Sequence, residues 1–334
     1  MNIGISFDLK ADFESAPREG APDDLHEEYD SMRTVDAVLR ALSSRGHRVT
    51  KLGGGRRFLA AMLDAPPELV FNLAEGSGSR SREAHVPAIC EMLGVPCTHS
   101  DPLTMALTLD KGMAKRIVAS AGVPTPPFAV IESERDLQRL DLAYPLFAKP
   151  LFEGSSMGIR RNSKLANEDE LRARVRALLD GYGEAVLVEE FLTGAEFTVG
   201  VLGTAAGAHV IGVMEIVPLK VAQEDFVYSL EIKRSWSVGE EMNYVVPPLR
   251  STEQLAEITG VALGAYRALG CRDVGRVDVR FDRGGRVAFI EVNPLPGVAP
   301  GWSDLALLWE RLGRSYDDLV LAILDEATQR IGLG

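Results

Sequence analysis

Lys149-Pro-Leu-Phe-Glu-Gly-Ser-Ser-Met-Gly158 carries the most informative local chemistry of this 334-residue chain. The run before it, Pro145-Leu-Phe-Ala-Lys149, reads as a strand that delivers a lysine, and a flexible Gly/Ser loop follows at once. Backbone N–H groups and hydroxyls in such a loop can surround phosphate oxygens, with the lysine as a point charge. It is not a Walker A loop, because the Gly-Lys-Ser/Thr order and the following helix are missing. An ordinary surface turn is the competing reading of this stretch alone.

The second signal lies at the far end, in Gly275-Arg-Val-Asp-Val279 and Phe289-Ile-Glu-Val-Asn-Pro294. Side chains two apart on a strand share a face, so Arg276 and Asp278 point one way and Glu291 and Asn293 do the same on the next strand. Hard oxygen ligands of this kind suit Mg²⁺, which shares its coordination shell with substrate phosphates. The flanking Val277, Val279, Ile290 and Val292 place the opposite face in a core and so fix the register. A solvated polar sheet face is the bland alternative.

Outward from these two motifs, the first hundred residues alternate strands and helices. Ile3–Phe7, Val49–Leu52 and Leu69–Leu73 read as strands, and Val35, Val38, Leu39 and Leu42 recur at helical spacing before Gly46. Lys10 to Asp24 is polar, acidic and proline-bearing, and reads as a mobile loop. A helix runs from about Glu83 to Leu93, Val95–Cys97 is a brief strand, and Asp110–Ala121 is helical again. Glu168–Leu179 and about Tyr316–Arg330 are further helices, and Ala185–Glu189 and Glu196–Leu202 further strands. This alternation implies an open α/β sheet at the N-terminus.

Composition narrows the function. Lys and Arg number 36 against 48 Asp and Glu, a net charge of −12, which argues against non-specific binding of nucleic acid. Cys90, Cys97 and Cys271 form neither a metal spacing nor an even disulfide set and read as free thiols in a reducing compartment. His85, His99 and His209 have no metal spacing either. No apolar run approaches the ~18–20 residues of a membrane span, and Met1–Phe7 lacks the pattern of a signal peptide. The expectation is a cytoplasmic protein with no nucleic-acid and no membrane partner.

Taken together, the motifs resemble those of the ATP-grasp ligases, and within them the D-alanine–D-alanine ligase family. The resemblance covers nearly the whole chain. Its matches, in order, are Asp110-Lys111, Lys149 with Glu153–Gly158, Val188–Leu192, Gly194-Ala-Glu-Phe-Thr198, Glu231-Ile-Lys233, Arg276-Val-Asp278 and Glu291-Val-Asn293. It implies a three-domain ATP-grasp fold, α/β overall and α+β in the lid: a parallel-sheet domain over 1–98, a central lid subdomain over 99–190, and a metal-bearing subdomain over 191–334. It also implies an ATP-dependent carboxylate–amine ligase acting through an acylphosphate on small amino-acid-like substrates, with a place in cell-wall biogenesis and a homodimeric assembly. The alternatives are an ATP-grasp ligase that joins other amino acids or small acids, and a non-catalytic nucleotide-binding module.

By the same resemblance, Lys111 and Lys149 contact the α- and β-phosphates of ATP, and the Glu153–Gly158 loop closes over the β- and γ-phosphates through Ser155 and Ser156. Glu189, Glu190, Phe191 and Leu192 form the hinge bordering the adenine, Glu196 holds the ribose hydroxyls, and Lys233 reaches the γ-phosphate. Asp278, Glu291 and Asn293 hold two Mg²⁺ ions, for which Mn²⁺ is an alternative. Arg276 stabilises the transferred phosphoryl group, the Gly297 N–H forms part of an oxyanion site, and Glu28 supplies a carboxylate for the ammonium group of the first amino acid.

The chain also departs from the family. Glu75 stands where the family has histidine, and Arg234 where it has a tyrosine after the phosphate-contacting lysine. Pro294–Asp304 replaces the family's acceptor segment, although Gly297 is kept. An omega-like loop between Glu215 and Pro247 is expected to cover the acceptor site. Trp302 and Trp309 are seven apart, a helix-compatible core spacing, and Trp302 is alternatively a wall of the acceptor pocket.

Overall fold

The computed structural model describes residues 1–13, 22–235 and 238–333. The first sheet is built from β1 (Asn2–Phe7), β2 (Arg48–Gly53) and β3 (Leu69–Leu73), in the order β2-β1-β3 with both pairings parallel. Ile3, Ile5 and Phe71 are fully buried, as expected of parallel strands covered on both faces. Helices α1 (Lys10–Phe13), α2 (Met32–Ser44), α3 (Gly55–Asp64) and α4 (His85–Leu93) belong to this part of the chain. Val35, Val38, Ala41 and Leu42 form the buried stripe of α2.

Two local expectations change here. Lys10–Phe13 is a short helix, not loop, and residues 14–21 of the expected Lys10–Asp24 loop lie outside the described residues. The expected strand Val95–Cys97 is reduced to one bridge, Val70 to Cys97. Pro96 has no N–H to donate, so the segment cannot extend a ladder.

Next come α5 (Pro102–Leu109) and α6 (Lys111–Ser120), followed by a second sheet of β4 (Phe128–Ile131), β5 (Leu146–Pro150), β6 (Lys164–Leu165) and β7 (Val186–Glu190). Its order is β4-β7-β5-β6, antiparallel throughout. Helix α7 (Glu168–Tyr182) covers one face with Leu171, Val175 and Leu178 against Leu146, Ala148 and Val188. The Asn167 side chain caps α7 by accepting the Glu170 N–H.

The third sheet comprises β8 (Glu196–Leu202), β9 (His209–Pro218), β10 (Met242–Val245), β11 (Val274–Phe281) and β12 (Val287–Asn293), in the antiparallel order β10-β9-β8-β11-β12. The segment between β9 and β10 is not a simple loop, because it holds α8 (Leu230–Ser235), although residues 236–237 lie outside the described residues. Helix α9 (Thr252–Ala268) buries Ile258, Ala262 and Tyr266 against Phe197, Val199, Val277 and Val279. Ala114 and Val118 of α6 join the same core.

Helices α10 (Asp304–Arg311) and α11 (Tyr316–Ile331) close the chain. Leu319, Val320, Ile323 and Leu324 of α11 pack with Ile3, Ile5, Leu69 and Phe71, so the last helix seals the first sheet. Trp309 is buried in that core, whereas Trp302 precedes α10 and is 49% exposed, so the seven-residue spacing does not mark a shared helix face. No helix among the described residues is long and apolar enough to cross a membrane.

Candidate functional site

Alternation along β11 and β12 places the acidic residues where their spacing requires. Arg276 pairs with Asn293 across the two strands, and Asp278 with Glu291. The register then slips, with Val279 opposite Phe289. Ile290 is the extra residue of this bulge, and it lines the cleft instead of entering the core with Val277, Val279 and Val292. This corrects the expectation that Ile290 faces the core.

One cavity between the second and third sheets is lined by Lys149, Ser156, Glu189, Glu190, Phe191, Leu192, Glu196, Lys233, Arg276, Asp278 and Glu291. A neighbouring cavity of about 450 Å³ is lined by Glu28, Lys111, Ser155, Asn293 and Gly297, and the two share Arg276 and Glu291 as walls. Trp302 lines this second cavity, in agreement with its alternative reading.

The charges in the cleft are interlocked. Arg276 donates to Asp278 Oδ2 from Nε at 3.1 Å and Nη2 at 3.0 Å, and Thr198 Oγ1 donates to Oδ1 at 2.8 Å. Lys149 Nζ lies 3.3 Å from Glu291 Oε2 and 3.4 Å from Glu189 Oε1. Burial works to raise the Glu291 carboxyl, but Lys149, Lys111 and Arg276 outweigh it and hold it at about 2. Asn293 Nδ2 is buried without a hydrogen-bond partner. Arg280 pairs with Glu196 at 3.2 Å, and its guanidinium lies 4.6 Å from the Phe191 ring centroid.

The Gly/Ser loop has left-handed backbone at consecutive serines, with φ 48° at Ser155 and 60° at Ser156. Such strain persists only where the surroundings hold it. Gly158 (φ 69°) closes the loop, and a Cβ there would meet Pro150 Cγ at 2.5 Å, so only glycine fits. Its N–H donates to Asp24 Oδ2 at 3.0 Å. Asp24 is buried and also accepts from the Tyr182 hydroxyl at 2.6 Å and from Arg160 at 2.9 Å. The loop is thereby tied to a segment well over a hundred residues earlier.

Three of the expected carboxylates are held by cations of the protein itself. Glu153 turns its carboxylate out of the cleft towards Arg82 at 3.1 Å, and its backbone carbonyl accepts from Lys111 Nζ at 2.5 Å. Glu28 is not a free carboxylate, because Arg82 holds it through Nε at 3.0 Å and Nη2 at 2.8 Å. Glu189 sits between Lys115 at 2.7 Å and Lys149 at 3.4 Å, so its side chain serves as their counter-ion.

Sequence reasoning missed other members of the cleft. Thr198 and Arg280 follow from period-2 alternation with Glu196 and Asp278. Asp304 at the start of α10 has no such signal, yet its Oδ2 lies 3.7 Å from both Lys233 and Arg276. Its Oδ1 accepts from the Tyr228 hydroxyl at 3.1 Å, and the Lys233 ammonium sits 4.6 Å from the Tyr228 ring centroid. Arg234, next in sequence, turns outward to Glu27 at 2.8 Å and Asp23 at 2.5 Å.

Two carboxylates and an amide oxygen on adjacent strands, flanked by three cationic side chains, form a donor set that fits a hard divalent cation sharing its shell with phosphate oxygens.

A family model for the D-ala D-ala ligase C-terminus matches residues 117–325. A D-alanine–D-alanine ligase of Bordetella pertussis is 35% identical over 303 residues, covering 90% of this chain and 91% of that protein. An uncharacterised protein y4sG of Sinorhizobium fredii is 32% identical over 307 residues, covering 89% and 88%. Among solved structures, a D-alanine–D-alanine ligase from Bacillus anthracis superposes with a TM-score of 0.72 at 18% identity, covering 98% of both chains. The VanG D-Ala:D-Ser ligase from Enterococcus faecalis gives 0.71 at 22%, covering 98% of this chain and 99% of its own. At these identities the structural likeness speaks to the fold.

Proposed function

The chain belongs to the D-alanine–D-alanine ligase family of ATP-grasp enzymes, and from that premise we propose how its own residues carry the ATP-dependent joining of a carboxylate to an amine. The observation that carries the reading is the register of β11 against β12. It sets Asp278 beside Glu291 and Arg276 beside Asn293, and of these four Arg276 and Glu291 line both cavities.

On this reading Lys149 and Lys111 bind the α- and β-phosphates, and the Glu153–Gly158 loop closes on the β- and γ-phosphates through Ser155, Ser156 and its backbone. The hinge Glu190-Phe-Leu192 borders the adenine, Glu196 holds the ribose and Lys233 meets the γ-phosphate. Asp278, Glu291 and Asn293 hold two Mg²⁺ ions, which when bound neutralise phosphate charge. The substrate carboxylate attacks the γ-phosphate, giving an acylphosphate and ADP. The amine then displaces phosphate and forms the amide. Arg276 and the Gly297 N–H stabilise the charge that develops, since phosphoryl transfer needs mainly positioning and neutralisation. Closure of the loop over the cleft excludes water that would hydrolyse the acylphosphate.

The amino-acid end is the second cavity. Its acidic wall of Glu28, Asp30, Glu75 and Glu83 receives the ammonium group of the first amino acid, with Glu28 shared between that group and Arg82. We divide the chain at residues 98 and 190, with the lid in the middle part, and place the enzyme in the cytoplasm in cell-wall biogenesis. A homodimer through the first domain is part of the same reading, for which exposed Leu63 and Met92 supply apolar surface.

Phosphate release from Mg-ATP with a panel of L- and D-amino acids tests the proposal. Release with D-alanine supports it. Release with other acids alone moves the specificity elsewhere, and no release with any acid overturns it.

A further inference from the structure

Lys115 is fully buried and lines neither cavity, yet it ends a ladder of alternating charge that runs into the cleft. Its ammonium forms an ion pair with Glu189 Oε2 at 2.7 Å and donates hydrogen bonds to Thr125 Oγ1 at 3.0 Å and to the Phe289 carbonyl at 3.4 Å. The other oxygen of Glu189 lies 3.4 Å from Lys149, and Lys149 lies 3.3 Å from Glu291. The order is therefore Lys115, Glu189, Lys149, Glu291. It passes from α6 through the second sheet to β12.

The arrangement divides the Glu189 charge. Phe147 pairs with Glu189 across β5 and β7, so Lys149, two residues on, is the diagonal neighbour of Glu189 and within its reach. A buried carboxylate facing one lysine would bind that lysine with its whole charge, because attraction is strong where water is excluded. With Lys115 on one oxygen, only the other and more distant oxygen is turned towards Lys149. The Lys149 ammonium thus stays at the cleft wall, shared between two carboxylates. Burial works to raise the Glu189 carboxyl, but the two lysines together outweigh it and hold it below the usual carboxylate range.

We infer that Lys115 is a positioning residue for the nucleotide: by holding Glu189 it keeps the Lys149 ammonium available to phosphate oxygens. This rests on reading the cleft as the ATP site. Without Lys115, Glu189 closes on Lys149 and competes with the phosphates.

The test uses the intact protein and measures Mg-ATP affinity directly by calorimetry, beside the KM for ATP and kcat of phosphate release. Lys115→Met and the hydrogen-bonding Lys115→Gln should each weaken ATP binding about tenfold and raise the KM for ATP in proportion, with kcat changed by less than about twofold. Adding Glu189→Gln to either variant removes the competing charge and should restore ATP binding to within about threefold of the parent. A merely structural lysine would give no such rescue. Unchanged ATP affinity in a folded Lys115→Gln protein, or a double variant as weak as the single, overturns the inference. If the parent binds no Mg-ATP, the reading of the cleft fails before the role of Lys115 is reached.

Discussion

Arg276 and Asp278, two residues apart on one strand, are joined by two hydrogen bonds to a single carboxylate oxygen, at 3.0 and 3.1 Å. The cation assigned to the transferred phosphoryl group therefore also guards a carboxylate assigned to metal. The alternation that turns both side chains to one face brings them together, and Glu291 and Asp304 complete the acidic surround of the guanidinium.

The metal assignment makes the first prediction. Glu291→Ala should lower phosphate release by at least about a hundredfold while leaving a cooperative melt, and chelation of Mg²⁺ should do the same to the parent. A Glu291→Ala enzyme that retains its activity removes Glu291 from the metal site.

A second prediction concerns Asp24, which ties the Gly/Ser loop to the N-terminal part of the chain through Gly158, Tyr182 and Arg160. Asp24→Ala leaves these donors unanswered and should cost about 3 kcal/mol in denaturant unfolding, with a several-fold rise in the KM for ATP. Loss of stability with an unchanged KM would mean that the tether does not hold the loop for the nucleotide.

Arg82 is the third case. It is buried and meets Glu28, Glu153 and the Phe152 carbonyl. Arg82→Met strands two carboxylates and should cost about 3–5 kcal/mol of stability. Arg82→Lys keeps the charge but loses the two-pronged grip on Glu28, so an intermediate loss is expected from the same unfolding titration.

The fourth prediction is one of pH. Burial, followed by the neighbouring carboxylates opposed by Arg82, pushes Glu83 up to about 7, and Glu75 is raised well above its ordinary value for similar reasons. A carboxyl raised on folding favours the native state while it is protonated. Its contribution is whole below the unfolded value of 4.5, declines as pH rises towards 7, and is gone above it. Glu83→Gln should therefore flatten the fall in stability between about pH 5 and 7 relative to the parent. Parallel stability curves for the two proteins would refute the assignment.

Much of the cleft was legible because strand alternation is local. Glu196, Arg276, Asp278, Glu291 and Asn293 lie on the faces that a period of two assigns them, and Lys149 enters from the end of β5. Ile290 escaped that reading because a bulge inserts one residue, and a bulge depends on the partner strand. The ion pairs of Glu28, Glu153 and Glu189 have no local signature. Their partners Arg82, Lys115 and Lys149 sit on other elements, up to about 70 residues away, so no local pattern joins them.

The sequence alone determined the strand–helix alternation of the first hundred residues, the lysine-bearing strand with its glycine-rich loop, and the faces of the acid-bearing strands. These follow from backbone periodicity and from the conformations that glycine permits. Only the tertiary structure decided which charges neutralise one another: Arg276 on Asp278, Arg82 on Glu28 and Lys115 on Glu189. Buried ions must find partners wherever packing brings opposite charges within a few ångströms, and separation along the chain does not specify that distance.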